Sequence, residues 1–262
     1  MRIPYYQVDA FTRRTFGGNP AGVCPLDNWL PDEILRQIAA ENNLAETAFL
    51  VRRGRQCLLR WFTPLVEVDL CGHATLATAH VLFSELGWPE PQVHFETLSG
   101  KLAATRKGEA IELDFPSRPP VPCRAPEALL KGLGLSPREV LRARDLMAVY
   151  DSAEEVAALN PDMALLAKLD CLGIIATARG TDVDFVSRFF APQAGIPEDP
   201  VTGSSHSTLI PFWAGKLGKT EMVARQISRR GGELHCRQAG ERVSIGGHAV
   251  TYCRGELEVP EA

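Results

Sequence analysis

The chain carries one segment twice. Trp61-Phe62-Thr63-Pro64 leads through acidic Glu67 and Asp69 to Cys71-Gly72-His73-Ala74-Thr75. About 130 residues on, Phe189-Phe190-Ala191-Pro192 leads through Glu198-Asp199-Pro200 to Thr202-Gly203-Ser204-Ser205-His206. Each copy runs Phe-x-Pro, acidic loop, then a glycine and small polar residues. Each continues into a stretch that reads as a helix, Ala74 to Leu86 and Ser205 to Leu217. A second correspondence follows: Ser99-Gly100-Lys101-Leu102 after the first helix and Gly231-Gly232-Glu233-Leu234 after the second. Two similar halves are expected, each offering a helix N-terminus opened by glycine. Such an end presents unspent N–H groups and partial positive charge, so it attracts carboxylates. If the halves face each other, two such ends converge on one small anion held in a cleft between domains.

The intervening sequence alternates strands and helices. Ile3 to Val8, Thr47 to Val51 and Cys57 to Phe62 read as strands, and Pro31 to Asn42 has apolar residues at helical spacing. Gln92 to Leu98, Lys101 to Arg106 and Ala110 to Phe115 read as consecutive antiparallel strands with glycine turns between them. Residues 116–126 contain five prolines, which neither a helix interior nor a central strand accepts, so a linker is expected there. The expected halves are residues 1–117 and 118–262. The second half repeats the pattern: a strand at Leu146 to Tyr150, helices within 153–169, and strands near 172–178 and 183–189. More strands follow the second glycine-opened helix. The strands around Val243 to Cys253 could complete either half. The fold class is α+β, each half a curved sheet around a central helix.

Composition narrows the function. A net charge of −4 leaves no basic footprint for nucleic acid. No apolar run reaches the ~18 residues that span a bilayer. No apolar leader follows Met1, and the seven cysteines are scattered without a C-x-x-C pair, so reduced thiols in a cytoplasmic protein are expected. Rossmann, Walker and nucleophile-elbow patterns are absent. His73 and His80 share one face of a predicted helix, but no third ligand is placed by sequence. No metal is therefore expected.

Further motifs carry a resemblance over nearly the full length. They are Val8-Asp9-Ala10-Phe11-Thr12, Gly18-Asn19-Pro20-Ala21-Gly22-Val23, Asn43-Leu44-Ala45-Glu46-Thr47-Ala48-Phe49, Cys71-Gly72-His73-Ala74-Thr75-Leu76, Glu198-Asp199-Pro200-Val201-Thr202-Gly203-Ser204 and Val243-Ser244-Ile245-Gly246-Gly247-His248. In this order they resemble the phenazine-biosynthesis PhzF-like family. The segment 228–234 is similar to the branch of phenazine-biosynthesis-like domain proteins. The resemblance implies a diaminopimelate-epimerase-like fold with two pseudo-symmetric, barrel-like halves. It also implies isomerase chemistry without a cofactor, and a homodimer.

The candidate residues carry structural readings beside functional ones. A glutamate at a strand start is ordinarily a solvated carboxylate. The resemblance makes Glu46 the proton-transfer residue, and partial burial would raise its pKa toward neutrality. His73 is either a first-turn residue bonded to a carbonyl or a partner that steers the proton of Glu46. Asp199 is either a loop or capping aspartate or a group orienting His73 or a polar group of the substrate. Gly72, Thr202, Gly203 and Ser204 are expected to bind a substrate carboxylate, a role compatible with helix capping. Asn19 lies in a loop that lines the site or is a structural turn.

Cys71 separates mechanisms. Two-thiol epimerases of this superfamily open both helices with Cys-Gly, whereas the second copy here reads Thr202-Gly203. A symmetric two-thiol racemase is therefore disfavoured, and Cys71 is expected to be a small buried residue. The function expected is proton transfer on a small carboxylate-bearing substrate. A non-catalytic binding or regulatory protein and an epimerase using Cys71 are the alternatives.

Overall fold

The protein is described by a computed structural model over residues 1–260. Internal packing divides the chain into residues 1–114 with 246–262, and residues 115–245. The last strand therefore belongs to the same unit as the first.

The first unit runs β1 (Arg2–Ala10), β2 (Asn19–Leu26), α1 (Asp32–Asn42), β3 (Glu46–Arg53), β4 (Gln56–Phe62), β5 (Glu67–Val68), α2 (Gly72–His80), β6 (Gln92–Thr97), β7 (Gly100–Lys107) and β8 (Ala110–Pro116). Strands 1, 2, 3, 4, 6 and 7 lie side by side, and their joints alternate: antiparallel, parallel, antiparallel, parallel, antiparallel. Parallel neighbours cannot be joined by a tight turn and need a crossover. The crossover at β2–β3 carries α1, and the one at β4–β6 carries α2.

The two helices cover opposite demands. Leu35, Ile38 and Ala39 of α1 pack on Ile3, Cys24, Phe49 and Phe62, one residue from each of the first four strands. In α2 eight of the nine residues are buried, which a helix permits only when it is enclosed. Its small side chains (Ala74, Ala77, Thr78, Ala79) let β1, β2, β3 and β7 approach it. At Val81 the helix widens into a π-turn, Val81–Glu85, instead of continuing as α-helix to Leu86.

The second unit runs β9 (Val121–Pro122), α3 (Glu127–Leu133), β10 (Glu139–Arg142), β11 (Leu146–Val149), α4 (Ala153–Ala158), α5 (Met163–Leu166), β12 (Ile174–Arg179), β13 (Phe185–Phe190), α6 (Gly203–Leu217), β14 (Glu221–Gln226), β15 (Gly232–Ala239) and β16 (Arg242–Gly247). Strands 10 to 15 repeat the alternation of the first unit: antiparallel, parallel, antiparallel, parallel, antiparallel. Here α4 and α5 span the first parallel joint and α6 spans the second. The duplicated sequence is thus a duplicated topology. Then β17 (Ala249–Glu258) pairs antiparallel with β1.

The interior of α6 contains Pro211. Proline supplies no N–H to the carbonyl four residues back, so Ser207 loses its helical donor. The backbone N–H of Arg118 donates to that carbonyl at 2.9 Å. The proline-rich segment is thereby tied to α6 at the point where the helix is short of a donor. The same segment is not wholly irregular, because Val121 and Pro122 form an edge strand against β10.

A further doubled feature explains the acidic loops. Arg60 of β4 forks onto Glu67 at 2.7 and 2.6 Å and lies over the Phe62 ring at 5.0 Å. Arg188 of β13 forks onto Glu198 at 2.7 and 2.9 Å and lies over the Phe190 ring at 4.9 Å. Each repeat therefore begins one residue earlier than its aromatic pair, at an arginine. The first glutamate of each acidic loop is spent on holding that loop.

Candidate active site

Glu46 is delivered to the start of β3 by a sharp helix stop. Asn43 takes a left-handed conformation (φ 48°) and its N–H donates to Ala39 O, ending α1. Three residues later Glu46 pairs in register with Ala21 of β2. Its side chain is 13% exposed, against 5% for His73.

At the start of α2, Cys71 is the N-cap with extended backbone (φ −142°), Gly72 is the first helical residue and His73 the second. The first helical bond runs from Thr75 N–H to Cys71 O, and the Thr75 hydroxyl donates to the same oxygen. The amides of residues 72–74 are the unspent donors of the helix end. The His73 ring lies between two groups. Its Nε2 is 3.2 Å from Glu46 Oε2, and its Nδ1 is 3.5 Å from Cys71 Sγ. The Nε2 approach is close but not aligned as a strong hydrogen bond.

Burial pushes the His73 pKa down to about 3, so the ring is neutral at ordinary pH. A neutral imidazole carries one N–H and one lone pair. The tautomer that suits both neighbours donates from Nε2 toward the Glu46 carboxylate and accepts the Cys71 S–H at Nδ1. Thiol, imidazole and carboxylate thus form one compact trio, a donor atom from each lying within 4.8 Å of the others.

The second unit builds a different constellation at its own helix start. Thr202 is the N-cap of α6, and Gly203 and Ser204 open the first turn. The Thr202 hydroxyl donates to Asp199 Oδ2 at 2.5 Å. Gln226, the last residue of β14, donates from Nε2 to Asp199 O at 2.7 Å and to Thr202 Oγ1 at 3.2 Å, and accepts Thr202 N–H at 2.9 Å. One turn along, Ser205 Oγ–H and His206 Nδ1–H both donate to Thr202 O, at 2.9 and 2.8 Å. Asp199, Thr202, Ser205, His206 and Gln226 are all buried.

The candidates fall into two groups. Glu46, Cys71, Gly72 and His73 come together in the first unit; Asp199, Thr202, Gly203 and Ser204 come together in the second. Asn19 was expected in a loop. Instead it is the fully buried first residue of β2, opposite Ala10 of β1. Its ladder position is set by Gly18, whose φ of 60° turns the chain into the strand. Gln226 was missed. The signal was present: Met222, Ala224 and Gln226 share the buried face of β14, and a glutamine in that phase requires polar partners.

Residues 8–255 match the family model described as phenazine biosynthesis-like protein. The chain belongs to that family. It is 52% identical to an uncharacterized isomerase of Pseudomonas aeruginosa over 259 residues, 99% of this chain and 100% of the relative. It superimposes on a phenazine biosynthesis PhzF-family crystal structure from Enterococcus faecalis with a TM-score of 0.97 at 48% identity, covering 99% of this chain and 100% of that one. A hydroxyproline epimerase of Agrobacterium vitis with bound trans-4-hydroxy-L-proline shares the fold at a TM-score of 0.61 and 12% identity, over 98% and 92% of the two chains. The fold is therefore the α+β, diaminopimelate-epimerase-like one. Family members close in sequence are named isomerases. No helix among the described residues is long and apolar enough to cross a membrane.

Proposed function

We propose that this protein is an isomerase that transfers a proton between carbon atoms of a small carboxylate-bearing substrate, with Glu46 as the acid–base group. The observation that carries the reading is the contact between Glu46 and the buried, neutral His73 at the open N-terminus of α2. The Glu46 carboxylate takes a proton from a carbon next to an unsaturated or carboxyl-bearing centre. The electron pair left on that carbon is delocalised into the substrate. The same carboxyl then returns the proton, either to another carbon, shifting a double bond, or to the opposite face, inverting a centre. No external oxidant or reductant is needed. His73, with Nε2 3.2 Å from the carboxylate, flanks Glu46 in the buried site.

The substrate carboxylate is assigned to first-turn amides of the glycine-opened helices, Gly72 on one and Gly203 and Ser204 on the other. Asp199 and Thr202 orient a hydroxyl or amine of a substrate. The relatives named isomerases support the class of reaction.

The test is solvent exchange. Purified protein is offered small carboxylates and cyclic dienes in D₂O, and deuterium entry at carbon is followed by NMR. Glu46→Gln keeps shape but cannot carry the proton, so exchange is expected to fall by about 10²–10⁴ with folding intact. Cys71→Ala is expected to be far milder. The proximity of Cys71 Sγ to His73 favours one competing reading, a thiol-based epimerase. Loss of exchange in Cys71→Ala with exchange preserved in Glu46→Gln would replace the first reading by that one.

A further inference from the structure

The Glu46, Cys71 and His73 side chains form a compact trio. A carboxylate oxygen, a thiol sulfur and an imidazole nitrogen, one from each, all lie within 4.8 Å of one another. Tetrahedral zinc with ordinary bond lengths sets its donors about 3.4–3.7 Å apart. The 3.2 Å between His73 Nε2 and Glu46 Oε2 already approaches that spacing, while the 3.5 Å contact of Cys71 Sγ is to the other ring nitrogen, Nδ1, so the thiol must turn to meet the same centre. Two of the residues, Cys71 and His73, sit at the start of α2 and the third, Glu46, starts β3. From this geometry we infer that the trio is a binding site for a thiophilic divalent cation of the Zn²⁺ class, and that the bound cation blocks the site.

The donor set selects the cation. Sulfur and nitrogen donors suit Zn²⁺ and Co²⁺, whereas Mg²⁺ and Ca²⁺ demand shells of oxygen. Three protein ligands leave one coordination position for water or a small anion. On binding, the Cys71 S–H bond breaks, the sulfur electron pair goes to the metal, and the proton passes to solvent. The imidazole gives its lone pair and the Glu46 carboxylate an oxygen. All three groups are then unavailable for proton transfer. Inhibition rests on the proposed function; cation binding does not.

The test uses chelator-treated, full-length protein titrated with Co²⁺ alone. A thiolate-to-cobalt charge-transfer band is expected in the near ultraviolet, saturating at one equivalent and bleached by Zn²⁺. It should vanish in Cys71→Ser and persist in Cys253→Ser, which alters an exposed cysteine outside the trio. If circular dichroism shows that Cys71→Ser fails to fold, Glu46→Gln is titrated in its place, and its Co²⁺ affinity should fall roughly tenfold or more. The site is overturned if no band forms, if the band survives in Cys71→Ser, or if Glu46→Gln binds Co²⁺ as tightly as the parent. Where the band behaves as expected, Zn²⁺ should abolish solvent exchange at the same occupancy. Exchange that continues with the site filled would leave the cation site standing and overturn the proposed use of Glu46.

Discussion

Gly18 shows what a single residue decides near the site. Its φ is 60°, and a Cβ there would lie 2.0 Å from Ala10 O, a backbone atom that cannot yield. Gly18→Ala is therefore expected to cost several kcal/mol, well above the ~1 kcal/mol typical of substitutions, and to shift Asn19 in the β1–β2 ladder. Thermal unfolding and amide exchange of residues 19–23 would check it. His206 makes a pH prediction. It is fully buried, with Nδ1–H bonded to Thr202 O and its ring beside Phe185, and burial lowers its pKa to about 4 from an ordinary 6.5. In the unfolded chain the ring protonates near pH 6.5; in the folded chain it does not until about pH 4. Its contribution is therefore complete above pH 6.5 and is lost as pH falls through that window, by up to roughly 3 kcal/mol. Urea unfolding between pH 7 and 4 should fall less steeply in His206→Asn. An equal slope in the two proteins would contradict the assignment.

At the scale of elements, the arginine forks hold the loops that feed each helix start. Arg188 binds Glu198 through two nitrogens and also donates to Leu159 O at 2.7 Å, joining the α4 end to the loop before α6. The pair is largely out of water, with 13% and 24% side-chain exposure. Removing one partner strands the other, so Arg188→Ala is expected to cost about 2–3 kcal/mol. It should also loosen Asp199 and Thr202, since Glu198 immediately precedes Asp199. Arg188→Lys, which keeps charge but not the fork, should recover only part of this. Denaturant midpoints for the three proteins, with hydrogen exchange over residues 198–204, give the comparison. Neither arginine stands out as a motif on its own. Each becomes legible only when the two repeats are aligned one residue further back.

At the scale of the whole chain, the last strand belongs with the first. β17 pairs with β1 from Arg2↔Glu258 to Ala10↔Ala249. It also anchors the end of the enclosed helix: Arg254 donates to Glu85 at 2.7 and 2.8 Å, Thr251 donates to the same carboxylate at 2.7 Å, and His80 Nε2 lies 3.0 Å from Thr251 Oγ1. Truncation after residue 247 would leave β1 an open edge and strip the partners from His80 and Glu85. Such an edge templates aggregation. The truncated chain is expected to lose solubility and to lose amide protection in β1 before β14. Full protection of β1 in a soluble truncated protein would show that β17 is dispensable.

Much of this protein follows from local chemistry alone. Glycine followed by small polar residues predicts an open helix start, and the structure places Gly72 and Gly203 as the first residues of α2 and α6. Alternation and turn glycines predict β6, β7 and β8 as an antiparallel run, because side-chain period and turn conformation are properties of a few adjacent residues. The repeat predicts duplication, borne out strand by strand in the order of parallel and antiparallel joints. What only the tertiary structure decided involves residues far apart in the chain. Gln226 reaches Asp199 and Thr202 across more than twenty positions, Arg118 supplies the N–H that Pro211 withholds from Ser207, and β17 returns to β1. Asn19 followed the same rule: its neighbours Gly18 and Pro20 read as a turn, but pairing with Ala10 made it a strand residue. A sequence states which backbone conformations and which buried faces each short segment favours. Which distant donor meets which acceptor is fixed only when those faces pack.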